Sequence, residues 1–348
     1  MFEMKQENQN NNPNASRPTP RPVFDPNPSP TRRALEGAML VAVAVIFGLS
    51  ANYLPLVWLI ALFLWPVPLA LLVRRFGPGF GLLGTALTAV LLSIFIGPLS
   101  ALFMLLNMGG VGFWYGWAAR KELNPWATVI TGVFIAAISM VLMLLFSTWL
   151  AGLQFDDLLR QVDEFVDFYI ATMQNSGQLQ QLQGNMTTAE FTVWLKDYLT
   201  SMLPSSMIFI AMLEAGISYA VTGYIFRRLG YPLARLPRFK EWRLPWYTLW
   251  GLIAALLAFV VYHQTELDWC RALCNNIMYI YQPLMMLAGL AMYYWLAEFW
   301  QMPWMIWLLV FMAIGAFSIA GPMLLILGLT DSVWDIRKVL LRRRQQQS

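Results

Sequence analysis

Pro204–Pro245 reads PSSMIFIAMLEAGISYAVTGYIFRRLGYPLARLPRFKEWRLP, and two properties of this stretch decide the fold. From Pro204 to Phe226 it is an almost unbroken apolar run, of the length a helix needs to cross a hydrocarbon core about 30 Å thick. Directly after the run come Arg227, Arg228, Arg235, Arg238, Lys240 and Arg243 against a single acid, Glu241. Basic residues beside a span stay on the cytoplasmic side, so the stretch reads as a membrane span whose C-terminal end faces the cytoplasm. Glu214 stands near the middle of the run. A charged side chain at that depth costs at least about 2.5 kcal/mol, so its carboxyl has to be neutral, paired or turned toward water.

The composition agrees with this reading. The chain of 348 residues is 58% hydrophobic and 12% charged, with a mean hydropathy of +0.55, whereas soluble domains are roughly 45–50% apolar. The fold class that follows is all-α, a polytopic membrane protein with about eight or nine transmembrane segments. A net charge of +4 does not mark a nucleic-acid partner, because the Lys and Arg residues flank apolar runs and not a soluble face. Cys270 and Cys274 form neither a disulfide framework nor a zinc site, and no cofactor is expected.

The preceding chain alternates in the same way. Residues 1–33 carry Pro18, Pro20, Pro22, Pro26, Pro28 and Pro30 among Asn, Gln and Ser, which predicts a disordered tail and no signal peptide. Arg32 and Arg33 precede the first span, Ala34–Ala51, and place the N-terminus in the cytoplasm. Leu54–Val73 ends at Arg74-Arg75, Gly79–Ile96 leaves, Leu99–Ala119 returns to Arg120-Lys121, Ala127–Leu150 leaves, and Pro204–Phe226 re-enters. Residues 34–226 are thus a six-helix membrane bundle.

Its fifth and sixth spans enclose an outer loop, 151–203. Apolar residues at helical spacing from Phe155 to Met173, with Asp156, Asp157, Asp163, Glu164 and Asp167 between them, predict an amphipathic helix. Thr187-x-x-Glu190 predicts a capping box that opens a second helix running through Tyr198. This hairpin is either a rim of the bundle or a lid over an outward-facing pocket.

Residues 227–244 form a basic cytoplasmic connector, and 245–348 hold further membrane helices: Pro245–Tyr262, Ile277–Ala297, and the run Trp304–Leu329, interrupted at Gly321-Pro322. A simple ninth span would strand Arg337, Lys338, Arg342, Arg343 and Arg344 outside. The last run is therefore expected to be a hairpin or partly inserted helix, broken at Gly321-Pro322, that returns a basic tail to the cytoplasm.

Several motifs are candidates for function. Ala34, Ala38 and Ala42 recur every fourth residue and smooth one helix face, for internal packing or for a partner helix. Span four carries Asn107, then Gly109, Gly110, Gly112 and Gly116 among Trp114, Tyr115 and Trp117; this is either close packing with an interfacial aromatic belt or a ligand pocket that Asn107, Trp114 and Tyr115 line. Glu214 is either a protonated structural group bonded to Asn107 or a Ser, or part of a solute or proton site. His263, Glu266 and Asp268 have no recognised metal spacing and read as a solvated turn. The chain holds no Walker A sequence, no catalytic Ser or Cys setting and no HExxH, so no enzymatic activity is expected and any ATPase is another chain.

ALEGAMLVAVAVIFGL, RRFGPGFGLLGTALTAVLLSIFIGPLSALFM and GGVGFWYGWAARK resemble the N-terminal part of the S components of energy-coupling-factor vitamin transporters. The connector RRLGY…LPRFKEWRLP and the ending LGLTDSVWDIRK resemble the YybS-type bacterial membrane proteins, a domain-of-unknown-function family, over nearly everything after residue 31. The first resemblance covers only six spans. It implies a bundle in a bacterial plasma membrane that captures a small solute and associates with a coupling subunit and ATPases, with Ala34, Ala38 and Ala42 matching the alanine motif of that contact. A scaffold that recruits other proteins through its acidic outer loop and basic inner face is the alternative.

Overall fold

The computed structural model describes residues 29–347, apart from 56, 153–154, 232, 304, 310–311, 313–319 and 335. The described residues form helices joined by short turns, with no strand among them, and seven of these helices are long and apolar enough to cross a membrane. The protein is an all-α polytopic membrane protein. It divides into two compact units, Met1–Ala136 with Glu214–Arg235, and Ala137–Leu213 with Leu236–Ser348.

The first unit contains α1 (Pro30–Tyr53), α2 (Trp58–Leu64), α3 (Pro66–Phe76), α4 (Pro78–Ile96), α5 (Pro98–Met104), a π-helical turn (Leu105–Gly109) and α6 (Gly110–Lys121). It also takes the start of α7 (Pro125–Ala151) and the end of α10 (Thr188–Arg228). Helix α1 begins at Pro30, four residues before the expected start, because Ser29 caps it by accepting from the Arg32 N–H at 3.4 Å and proline is favoured in a first turn. Residues 30–33 are therefore helix and not tail; the rest of the expected disordered tail, 1–28, lies outside the described residues. Gly77 and Gly97, at φ 95° and 84°, adopt backbone angles that cost glycine little. The proline after each opens the next helix, so the chain reverses with almost no loop.

Helix α3 lies at the centre of this unit, with Val67 to Val73 buried. It comes close to α6 because Gly112 and Gly116 offer no side chain: a Cβ on Gly116 would run into the Ala70 carbonyl. Trp65, Leu69, Leu72, Leu92 and Met108 fill the core. Leu83 and Ile94, by contrast, are about 70% exposed (69% and 71%), the arrangement expected of a lipid-facing surface. Near the end of α3, Arg75 pairs with Glu36, which also accepts from Arg32 at 3.0 Å.

The second unit contains α8 (Phe155–Asn175), α9 (Leu179–Gln183), the first part of α10, α11 (Leu249–Thr265), α12 (Asp268–Phe299), α13 (Ala320–Trp334) and α14 (Ile336–Gln347). Residues 155–198 form a helical hairpin. Val166, Ile170, Leu179 and Phe191 form its own small core, and Lys196 pairs with Asp167 at 3.0 Å. The capping box is present: the Thr187 N–H donates to Glu190 Oε2 at 2.8 Å, and the Glu190 N–H donates to Thr187 Oγ1 at 3.3 Å.

One expectation is corrected here. The second loop helix does not end near Tyr198 but continues through Pro204 as a single helix of 41 residues. Pro204 removes one backbone donor and disturbs the ladder around it. Asn276 of α12 repairs the damage: its Oδ1 accepts from the Ser205 N–H at 3.0 Å, and its Nδ2 donates to the Ser201 and Ala272 carbonyls. At 1.5 Å per residue the helix is about 62 Å long, twice the hydrocarbon thickness. Only part of it fits within a hydrocarbon core.

Helices α12 and α13 cross backbone to backbone, since a Cβ on Gly289 would meet the Leu324 carbonyl and one on Gly328 the Met285 carbonyl. Arg337, just beyond, donates to the Lys240 and Trp242 carbonyls and pairs with Asp331 at 2.8 Å. Lys240 in turn pairs with Glu298 at 2.6 Å. The basic tail thus begins against the basic connector. Gly321 and Pro322 lie in the first turn of α13, and the residues just before that helix, 313–319, are outside the described residues.

Candidate functional site

The site is built on the C-terminal part of α10. Ala211, Glu214, Ala215, Ser218, Tyr219 and Thr222 are buried, while Ile210, Ile217 and Tyr224 are exposed; the buried positions recur at the spacing of one helix face. On that face Glu214, Ser218 and Thr222 follow one another every fourth residue, about 5–6 Å from one to the next. Glu214 is 4% exposed, and Ser218 and Thr222 are wholly buried.

Each of the three carries an unpaired oxygen. Glu214 Oε1, Ser218 Oγ and Thr222 Oγ1 have no hydrogen-bond partner among the described residues. Buried helical hydroxyls ordinarily donate to the carbonyl one turn back, as Thr85 does to Gly81 and Thr88 to Gly84, both at 2.8 Å. Leaving a buried polar group unpaired costs about 1–3 kcal/mol, so a row of three is not explained by packing.

Asn107 adds a fourth oxygen. It sits in the π-helical turn Leu105–Gly109, a local widening that recurs at functional sites. Its side chain stands within hydrogen-bonding reach of the Glu214 carboxyl, while its own Oδ1 lacks a partner among the described residues. Tyr115 is fully buried beside them: its hydroxyl donates to the Ala215 carbonyl at 2.7 Å, and its ring meets Tyr219 edge-on at 5.3 Å. The Tyr219 hydroxyl donates to the Ala234 carbonyl at 2.6 Å. Both phenols are engaged, so they serve as walls.

The structure therefore brings Glu214, Asn107 and Tyr115 together. Trp114 points elsewhere, its indole N–H donating to the Thr128 carbonyl at 2.9 Å and its ring stacked on Trp117. Ala34, Ala38 and Ala42 are all exposed, and the buried face of α1 is made by Gly37, Val41, Ala44 and Gly48. The alanine face is exposed among the described residues, open to lipid or another helix. His263 packs edge-on against Phe259 at 4.8 Å, and no group of three or more His, Cys, Asp or Glu among the described residues could hold a metal.

Ser218 and Thr222 are the residues that reading the sequence missed. Their signal is the spacing Glu214-x3-Ser218-x3-Thr222. Hydroxyls in spans usually satisfy themselves on their own backbone, so the spacing acquires meaning only once that bond is seen to be missing.

Apolar helices with polar groups turned inward define a multi-pass α-helical membrane protein. The family model described as "Predicted membrane protein (DUF2232)" matches residues 42–332, and the chain belongs to that family. It is similar to the "Uncharacterized protein YybS" of Bacillus subtilis (strain 168), 24% identical over 246 residues, which covers 70% of this chain and 78% of that protein. No solved structure matches the chain.

Proposed function

We propose that this chain is a transport-related membrane protein that binds a small polar solute within its first compact unit and performs no catalysis of its own. The observation that carries this reading is the buried row Glu214, Ser218 and Thr222, each with an unpaired oxygen, with Asn107 beside it. Polar groups inside membranes mark substrate and ion pathways because their cost has to be recovered by function. In this reading the protein lies in a bacterial plasma membrane with its N-terminus, connector and basic tail in the cytoplasm, as the charge pattern favours. Energy, where any is used, comes from a coupling subunit and ATPases in trans. The exposed Ala34, Ala38 and Ala42 face suits a partner helix of that kind.

The test is a thermal-shift screen of small polar solutes on the purified full-length protein. A solute that binds the folded state raises the melting temperature, and Glu214→Gln abolishes the shift. A screen in which every stabilising solute acts equally on wild type and Glu214→Gln removes Glu214 from the site. Co-purification from native membranes separates transport from scaffolding: ATPase subunits are expected with the wild type and lost with Ala38→Leu.

A further inference from the structure

At the C-terminal end of α12 the second unit holds a recess of about 460 Å³, lined by Phe299, Trp300, Gln301, Leu340, Arg343 and Arg344. Its size suits a small headgroup or solute. Among the described residues none that line it is acidic. The acids of neighbouring turns are engaged elsewhere, Glu298 by Lys240 at 2.6 Å and Asp331 by Arg337 at 2.8 Å. Arg344 is held in place: its Nη1 donates to the Phe299 carbonyl at 3.2 Å, and its guanidinium lies 5.1 Å from the centre of the Phe299 ring. Capping the last carbonyls of a helix accounts for that bond. It does not account for Arg343, which lines the same recess and joins no ion pair among the described residues. Two guanidinium groups at one recess repel each other unless an anion joins them.

We propose that this recess binds the phosphate headgroup of an anionic phospholipid. Arginine presents a planar fork of donors that matches phosphate oxygens, and Arg344 keeps most of its donors after the bond to Phe299. The surroundings point to the source of the phosphate. Phe299 and Leu340 give the recess apolar walls, and Trp300, which also lines it, is exposed; an indole is favoured at a membrane–water interface. Further along the chain Met302, Met305 and Leu309 are exposed as well, and on α14 so are Val339 and Leu341, between Lys338 and Arg342. A water-soluble phosphate makes no use of such apolar surface. A phospholipid lays its acyl chains on it while its headgroup meets the arginines, as lipids do at basic recesses between helices on the cytoplasmic side. The site belongs to the second unit and shares no residue with the row on α10, so it goes beyond the solute reading and does not depend on it.

The experiment uses purified full-length protein in detergent, titrated with dioctanoyl phosphatidylglycerol, dioctanoyl phosphatidylcholine or sodium phosphate at constant ionic strength, with the melting temperature as readout. Phosphatidylglycerol is expected to raise it saturably, and the other two to do so far less. Arg343→Gln should weaken the apparent affinity for phosphatidylglycerol by roughly tenfold, in keeping with the loss of one charge-assisted contact. That variant is expected to fold, because the Arg343 side chain has no ion pair to lose among the described residues. Arg344→Gln should weaken the affinity too, and should also melt earlier without lipid, since Arg344 caps α12. Arg342→Gln removes the same charge outside the recess and should cost much less affinity than Arg343→Gln. Equal losses in those two variants would reveal a diffuse basic surface and overturn the recess, as would an unchanged affinity in Arg343→Gln. A response to phosphatidylcholine as large as that to phosphatidylglycerol overturns the anionic headgroup, and one to sodium phosphate as large overturns the lipid in favour of a soluble anion.

Discussion

Asn107 and Asn276 are both half-buried asparagines on apolar helices, one in each compact unit, and they are used in opposite ways. Asn276 has every polar atom engaged: Oδ1 receives the Ser205 N–H, and Nδ2 supplies the Ser201 and Ala272 carbonyls. It closes the gap that Pro204 opens in α10. Asn107 leaves Oδ1 without a partner, beside a carboxyl that leaves Oε1 without one. The same side chain is a structural plug in one place and carries an unpaired acceptor in the other. Residue type and depth do not separate the two uses. Whether the polar atoms are satisfied does.

The comparison is sharpened by breaking satisfied groups first. Arg337 bonds Asp331, Lys240 and Trp242, and Asp331 is 2% exposed. Replacing Arg337 by Leu leaves a buried carboxylate without its ion pair and should destabilise the protein by about 3–5 kcal/mol. Denaturant unfolding of the detergent-solubilised protein measures this, and a loss below half that range would mean the network is solvated.

Asn276→Leu comes next. It strands the Ser205 N–H and the Ser201 carbonyl, at an expected cost of about 2–4 kcal/mol. Asn107→Leu should cost less in the same assay, because Asn107 already leaves its Oδ1 unpaired and bridges no break in a helix ladder. Equal losses would erase the distinction between plug and unpaired acceptor.

The smallest effect concerns the outer hairpin. The Thr187 N–H, and then its hydroxyl, donate to the Glu190 carboxylate and hold it below the usual carboxylate range. A depressed folded-state pKa means that the cap's contribution is present above the unfolded value of about 4.3 and is lost as pH falls through the folded value. Protection factors for hydrogen exchange in the first turn of α10, taken relative to the intrinsic rate at each pH, should therefore fall at acid pH, and Glu190→Gln should remove that dependence. A pH profile unchanged in the Gln variant would show that the cap does not control fraying.

Much of this was legible in the sequence. The span Pro204–Phe226, the Gly-Pro reversals and the capping box are local chemistry, carried by adjacent residues, and the structure has them. The continuity of α10 was not legible, because proline signals a break and the repair comes from Asn276, 72 positions beyond Pro204. Glu214, Asn107 and Tyr115 stood out as polar or aromatic residues in apolar runs, and the fold brings them together. Trp114 stood out for the same reason but is turned onto Thr128, because a one-residue step on a helix rotates the side chain by about 100°. Ser218 and Thr222 were invisible for the converse reason: a hydroxyl is remarkable only when its partner is missing.

The central claim is that the row on α10 is kept for an occupant and not for the fold. The measurement that tests it most directly is the melting temperature of the unliganded double variant Ser218→Ala, Thr222→Val, which removes two buried unsatisfied hydroxyls at nearly constant shape. The account predicts a variant at least as stable as wild type, with a gain of up to about 1–2 kcal/mol, and with the ligand response weakened. A variant that melts well below wild type would show that these hydroxyls hold the helices together, and would contradict the claim.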